Sequence, residues 1–177
     1  MTTVFLGIGS NIEPEAHLRL AAAELRRRYG DVAFSRVYRG PAIGFDGPDF
    51  LNLVARIETR RSPARLLADI DAIHRLARRE RGGGRFCSRT LDIDLLLYDR
   101  LIMSEPLELP RPDVLQYAFV LRPLAELAPD FVHPLTGRTL AEHWRELAPT
   151  APALSPVDLD LEERAVTSRD CGRHRPR

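Results

Sequence analysis

Asp92 and Asp94 stand two residues apart in the apolar run LDIDLLLYD, and that spacing carries the sharpest chemical signal in the chain. On a strand, residues i and i+2 point to the same face roughly 6.6 Å apart, so the two carboxylates converge while Ile93 and Leu95 alternate with them. Like charges held that close repel unless a cation joins them. Magnesium, which takes one or two carboxylates together with substrate phosphates, is the natural partner. For a bare Asp-x-Asp the plain alternative is an acidic pair on a solvated sheet face.

The segment just before the aspartates, IHRLARRERGGGRFCSRT, favours a polyanion ligand. It places Arg75, Arg78, Arg79, Arg81, Arg85 and Arg89 within fifteen residues. Arg75, Arg78 and Arg79 fall on one helical face, and Arg85 and Arg89 flank a glycine triplet able to act as a hinge. All 26 basic residues of the chain are arginine, so the lysine of a phosphate-binding loop is excluded. A nucleotide enzyme built from this chain works through arginine forks and metal. A solvated helix face or an RNA-binding stripe are the competing uses of such a segment. A net charge of only +1 and the lack of interleaved aromatics argue against nucleic acid. Phe50 and Asn52 share a strand face beside the Gly/Pro-rich loop 39–49. An aromatic plane with a nearby amide suits a flat heterocycle that presents donors and acceptors along one edge.

The elements that must position these residues follow from periodicity. Val4 to Gly7 predicts a strand, ended by the turn-prone Gly7-Ile8-Gly9-Ser10-Asn11, and a helix from Pro14 carries Leu18, Ala21, Ala22 and Leu25. Residues 32–38 and the alternating Phe50 to Thr59 predict two further strands. Ser62 and Pro63 open a second helix with the stripe Leu66, Leu67, Ile70 and Ile73, running out at Gly82-Gly83-Gly84. A strand from Leu91 to Tyr98, an extended 107–110 and a helical 119–127 complete the pattern. The order βαββαβ predicts an α+β fold, a ferredoxin-like sandwich with helices packed on one face of an antiparallel sheet.

Residues 1–149 form one domain in this reading, large enough to bury its own core without disulfide or structural metal. From 150 to 177 the chain is rich in Pro, Ser and charge, which predicts a disordered tail. Cys87 and Cys171 show no metal-binding or disulfide spacing. There is no basic-then-apolar leader and no apolar run near the ~20 residues of a membrane span. These features predict a soluble, cytoplasmic monomer without membrane or nucleic-acid partners.

Taken together, Gly7-Ile8-Gly9-Ser10-Asn11, Tyr38-Arg39-Gly40-Pro41, Phe50-Leu51-Asn52, Arg79-Glu80-Arg81, Arg89-Thr90-Leu91-Asp92-Ile93-Asp94-Leu95-Leu96 and the FVLRPLAELAP stretch from Phe119 resemble the 6-hydroxymethyl-7,8-dihydropterin pyrophosphokinase family. The resemblance covers roughly residues 3 to 140. It implies an enzyme that binds ATP with two magnesium ions and then a reduced pterin, whose hydroxyl attacks the β-phosphorus and releases AMP, a step of folate synthesis. It further implies that Asp92 and Asp94 hold the metals and that Arg79 and Arg89 contact the transferring phosphates. Arg81, Asp71, His74, Arg111 and Tyr117 correspond to the ATP side. The pterin corresponds to a place between Phe86 and Phe119, its edge read by Asn52 and by backbone around Gly40, Pro41 and Ile43, with Phe50 lining the pocket.

The chain also departs from the family pattern. Phe86-Cys87-Ser88 replaces a tryptophan followed by Gly-Pro, His74 an acidic residue, Arg78 a glycine, Arg111 a histidine and Tyr117 an arginine. Most of these departures fall on the nucleotide side. They leave open a pterin-binding homologue with little kinase activity, or a kinase for a related pterin, beside the ordinary pyrophosphokinase.

Overall fold

The computed structural model describes residues 1–77 and 90–162. Alternation from Thr2 onward folds as β1 (Thr2–Ser10), which runs through the glycines that the sequence alone assigns to a turn. Neighbours explain the difference, because β1 is paired on both sides along its length and cross-strand pairing overrides the weak strand preference of glycine. Helix α1 (Pro14–Tyr29) buries Leu18, Ala21, Ala22 and Leu25, as its periodicity predicts.

The strand expected over 32–38 is two strands, β2 (Val32–Phe34) and β3 (Val37–Gly40), both antiparallel to β4 (Phe50–Thr59). Phe34 faces Ala55 and Tyr38 faces Asn52, so three residues on one strand oppose two on the other. That is a β-bulge. Ser35 locks it, its N–H donating to the Val54 carbonyl and its hydroxyl accepting the Val54 N–H, each at 2.9 Å. Helix α2 (Pro63–Leu76) starts where Ser62 caps it, the hydroxyl accepting the Arg65 N–H, and β5 (Asp92–Tyr98) follows.

With a last short strand, β6 (Ser155–Val157), the strand order is β5-β1-β4-β3-β6, antiparallel throughout, with β2 also on β4. Helices α1 and α2 cover one face, packing Leu18, Leu25, Ile70 and Ile73 over Leu6, Ile8, Leu53 and Ile57 of the strands. The sequence reading placed helices on one face only. The opposite face is also covered in part, by α4 (Ala118–Leu127) flanked by α3 (Asp113–Gln116) and α5 (Leu140–Leu147). Phe5, Val54 and Leu97 demand that second layer, since apolar residues occupy part of the alternate strand positions as well.

A buried carboxylate ties α1 to α2. Asp69 is 4% exposed and accepts hydrogen bonds from Tyr29 and Arg61, with Arg65 and Arg28 at 3.7 and 3.9 Å. Burial opposes its ionisation, but the Tyr29 and Arg61 hydrogen bonds and the neighbouring positive charges hold its pKa below the ordinary aspartate value.

Residues 150–162 do not form the disordered tail expected from their composition. The chain turns through Ala148–Thr150 into β6 (Ser155–Val157), which pairs with β3, and Leu159 and Leu161 then pack against the α1 side of the core. Free backbone groups on the β3 edge and two apolar anchors offset an ordering cost that local composition alone could not meet. The rest of that segment, from 163, lies outside the described residues.

Candidate active site

The site is a consequence of strand register. Residues directly opposite each other in an antiparallel pair share a face, so pairing can be followed across the sheet. Tyr38 faces Asn52, Asn52 faces Gly9, and Gly9 faces Asp92. One row away, Val54 faces Gly7 and Gly7 faces Asp94. Between the amide of Asn52 and the two carboxylates lies a strip of β1 without side chains. At about 4.8 Å per strand, Asn52 and Asp92 stand roughly 10 Å apart across it.

Both glycines are closely approached by neighbouring side chains, Gly9 the more tightly. A Cβ at position 9 would lie 2.5 Å from Asn52 Oδ1, and one at position 7 would lie 3.3 Å from the Leu96 side chain. Their spacing was a usable signal, because two glycines at i and i+2 in an alternating strand mark one face that something else approaches. A cleft of about 60 Å³ lined by Gly7, Gly9, Asn52, Asp92, Asp94 and Phe119 opens over this strip. Ligand-sized pockets hold about 300–1,000 Å³, so among the described residues the cleft is a shallow floor and not an enclosing pocket.

Asp92 and Asp94 are half-buried on this face while Ile93 and Leu95 are buried on the other, as the alternation predicts. The β1–β5 register then shifts between Phe5 and Leu6, which turns both Leu96 and Leu97 into the second core and leaves the Leu96 carbonyl to accept the Arg111 N–H at 2.9 Å. The Arg111 guanidinium lies 3.6 Å from Asp94 and donates to Asp113 at 2.8 Å. Burial opposes its charge, and Asp94, Asp113 and Asp92 more than offset that, raising its pKa. No cluster of three His, Cys, Asp or Glu ligands occurs among the described residues. Two carboxylates on a polar strip fit magnesium, a hard cation that fills its remaining positions with water and phosphate oxygens.

The aromatic side of the cleft is built from α4 and the loop before it. Phe119 is half-buried in the first turn of α4, and the Tyr117 ring stacks on it at 5.1 Å and 18°. Tyr117, assigned by resemblance to the ATP side, packs on Phe119, which the resemblance assigns to the pterin. Phe50 is half-buried opposite the buried Gly40, with Phe45 edge-on to it at 6.2 Å. Pro41 and Ile43 follow in the loop 41–49, whose far end is held where Asn11 Nδ2 donates to the Pro48 carbonyl at 3.2 Å.

The residues that the resemblance assigns to ATP are placed differently. His74 is 7% exposed, and its Nε2 accepts the Ile93 N–H at 2.8 Å, so this nitrogen supports β5 between the two aspartates. Asp71 is exposed on α2 and does not line the cleft. Arg79, Arg81, Phe86 and Arg89 lie outside the described residues.

An α+β scaffold of ferredoxin-like topology, carrying two carboxylates and an amide across a glycine strip, defines a small-molecule site on a sheet face. The family model described as 7,8-dihydro-6-hydroxymethylpterin-pyrophosphokinase matches residues 5–129, and the chain belongs to that family. It is 34% identical over 146 residues to the 2-amino-4-hydroxy-6-hydroxymethyldihydropteridine pyrophosphokinase of Aquifex aeolicus, covering 80% of this chain and 90% of that protein. The protein of the same name from Methylorubrum extorquens is 40% identical over 158 residues, 85% of this chain and 96% of that one. Among solved structures, Plasmodium falciparum HPPK-DHPS with pteroate matches with a TM-score of 0.66 at 14% identity. That likeness concerns the fold and covers 84% of this chain but 42% of the other. No helix among the described residues is long and apolar enough to cross a membrane.

Proposed function

We propose that this protein transfers the terminal diphosphate of ATP to the hydroxymethyl group of 6-hydroxymethyl-7,8-dihydropterin, releasing AMP, in folate biosynthesis. The observation that carries this reading is the register that sets Asn52, Gly9 and Asp92 in one row with Gly7 and Asp94 in the next. In this arrangement the pterin lies against Phe119, with Phe86 as the second ring. Its amide-like edge meets Asn52, whose carbonyl and NH₂ match an edge bearing both donors and acceptors. The hydroxymethyl arm then crosses the glycine strip toward the carboxylates.

Asp92 and Asp94 are the residues to hold two magnesium ions, which when bound supply charge neutralisation on the transferred phosphates. Arg79 and Arg89 act as the donors that follow the charge as it shifts, and Arg81 and Arg111 attend the nucleotide. The pterin oxygen bonds to the β-phosphorus as the bond from that phosphorus to the bridging oxygen breaks. AMP leaves with the bridging oxygen, and the hydroxyl proton passes to solvent. We place the reaction in the cytoplasm, where ATP is available, and assign it to a monomer because every proposed ligand comes from one chain.

Incubation of the purified protein with ATP, magnesium and 6-hydroxymethyl-7,8-dihydropterin, followed by nucleotide analysis, tests the reading. Pterin-dependent AMP is the expected product. ADP, or no nucleotide product, overturns it.

A further inference from the structure

Strand β6 extends the row architecture to the far edge of the sheet. Tyr38 faces Pro156 and Arg39 faces Ser155, so the register carried one step further sets Leu154 opposite Gly40, which in turn faces Phe50. Leu154 therefore falls on the same face as Phe50 and Asn52. The contact is close, since a Cβ at position 40 would lie 2.7 Å from Leu154 Cδ2. Gly40 is buried while Leu154 is half-buried, so the leucine occupies the place of the side chain that position 40 lacks and keeps part of its apolar surface exposed.

Leu154 is held from several directions. Arg122 Nη1 donates to its carbonyl at 3.1 Å, and the same guanidinium lies 4.5 Å over the Tyr38 ring. Tyr38 donates its hydroxyl to Glu126, which also stands 3.6 Å from Arg122. Beyond β6, Arg19 and Arg26 donate to the carbonyls of Asp160 and Leu161 at 3.0 and 3.2 Å, which fastens the segment to α1. A leucine fixed by its own carbonyl and by the strand pairing and helix contacts of the chain that follows it is a wall, not a loose cover.

We propose that Leu154 is a specificity-determining residue, the apolar wall that closes the heterocycle subsite on the side away from Asp92 and Asp94. This inference rests on the pterin reading of the cleft. The wall selects flat bicyclic ligands with no bulk on the edge turned toward β3, because Gly40 leaves room only for Leu154 itself. Position 40 and position 154 share one volume.

The test is a coupled pair of substitutions read by pterin binding. Binding is measured by fluorescence titration of 6-hydroxymethylpterin in the presence of a non-hydrolysable ATP analogue and magnesium, and in parallel by the steady-state KM values. Leu154→Ala should weaken pterin about tenfold, the lower end of what removing apolar contact from a pocket produces, and shift the ATP KM less than twofold. Gly40→Ala should also weaken pterin, whereas Gly40→Ala with Leu154→Ala should bind better than Gly40→Ala alone, a non-additive cycle. Additive effects, unchanged pterin binding in Leu154→Ala, or equal losses for pterin and ATP would overturn the wall. AMP release by the unsubstituted protein reports separately on the reaction, so a protein that binds pterin through Leu154 without forming AMP refutes the kinase and keeps the wall.

Discussion

The two faces of the central strands do opposite work with the same backbone. Toward α1 and α2, β1 presents Val4, Leu6 and Ile8, β4 presents Leu51, Leu53, Ala55 and Ile57, and β5 presents Ile93 and Leu95, all buried. Toward α4 the intervening positions are Phe5, Gly7 and Gly9, then Asn52 and Val54, then Asp92 and Asp94. Near Phe5 and Val54 that second face is core, and toward Gly9 it becomes the cleft. Each strand residue that builds the floor of the site is thus backed by a close-packed apolar neighbour, which is how a shallow polar strip is kept rigid.

This contrast predicts that substitutions on the open face cost activity while those one residue away cost stability. The largest effect belongs to the carboxylates. Asp92→Asn and Asp94→Asn should each lower AMP release by about 10²–10³ or more, the scale of losing one preorganised electrostatic element, with an unchanged far-UV spectrum. Near-normal turnover in either would remove the metal role.

Adjacent residues in β1 sharpen the comparison. Ile8→Ala should lower stability by about 2–5 kcal/mol, measured by urea unfolding, and leave the KM values of the folded fraction near those of the parent. Gly9→Ala should do the reverse, because its Cβ must displace the Asn52 amide and so raise the pterin KM. If both act chiefly on stability, Gly9 is a packing residue and the strip is not a substrate floor.

A smaller effect attaches to Tyr117. Its stacking on Phe119 predicts that Tyr117→Ala weakens pterin severalfold, in line with the roughly 0.5–1.5 kcal/mol of an aromatic pair. The ATP KM should hold, and a selective loss of ATP affinity would return Tyr117 to the nucleotide side.

The smallest effect on activity should come from the covered face, at Asp69. Its folded pKa lies below 3.8, so the stability it contributes is present above that value and is lost as pH falls through the folded pKa. Melting temperature should therefore decline steeply below about pH 4 in the parent and less so in Asp69→Asn. Parallel curves would show that the carboxylate and its arginines are not a linked unit.

Periodicity was enough to place α1, β4, α2 and β5, because each carries its apolar residues at the spacing of the element it forms. The Asp92–Asp94 face was legible for the same reason. So was the family, through motifs whose order and spacing survive when folding is ignored. Local reading stopped β1 at Gly7 and released the chain at 150, since glycine and a proline-rich segment are weak strand formers on their own. Only the assembled sheet supplied the partners that overrode those preferences, β4 and β5 for β1 and the β3 edge for β6.

The site divides along the same line. That Asn52 belongs with an aromatic ring and that Asp92 belongs with Asp94 are facts of i, i+2 spacing, which a single strand contains. That Asn52, Gly9 and Asp92 share a row, that Tyr117 lies on Phe119, that His74 supports β5 and that Leu154 fills the place beside Gly40 depend on register and on contacts between distant segments. Chain spacing sets which face a side chain takes, and register decides what it meets there, because a one-residue slip would send every one of these groups to the opposite side of the sheet.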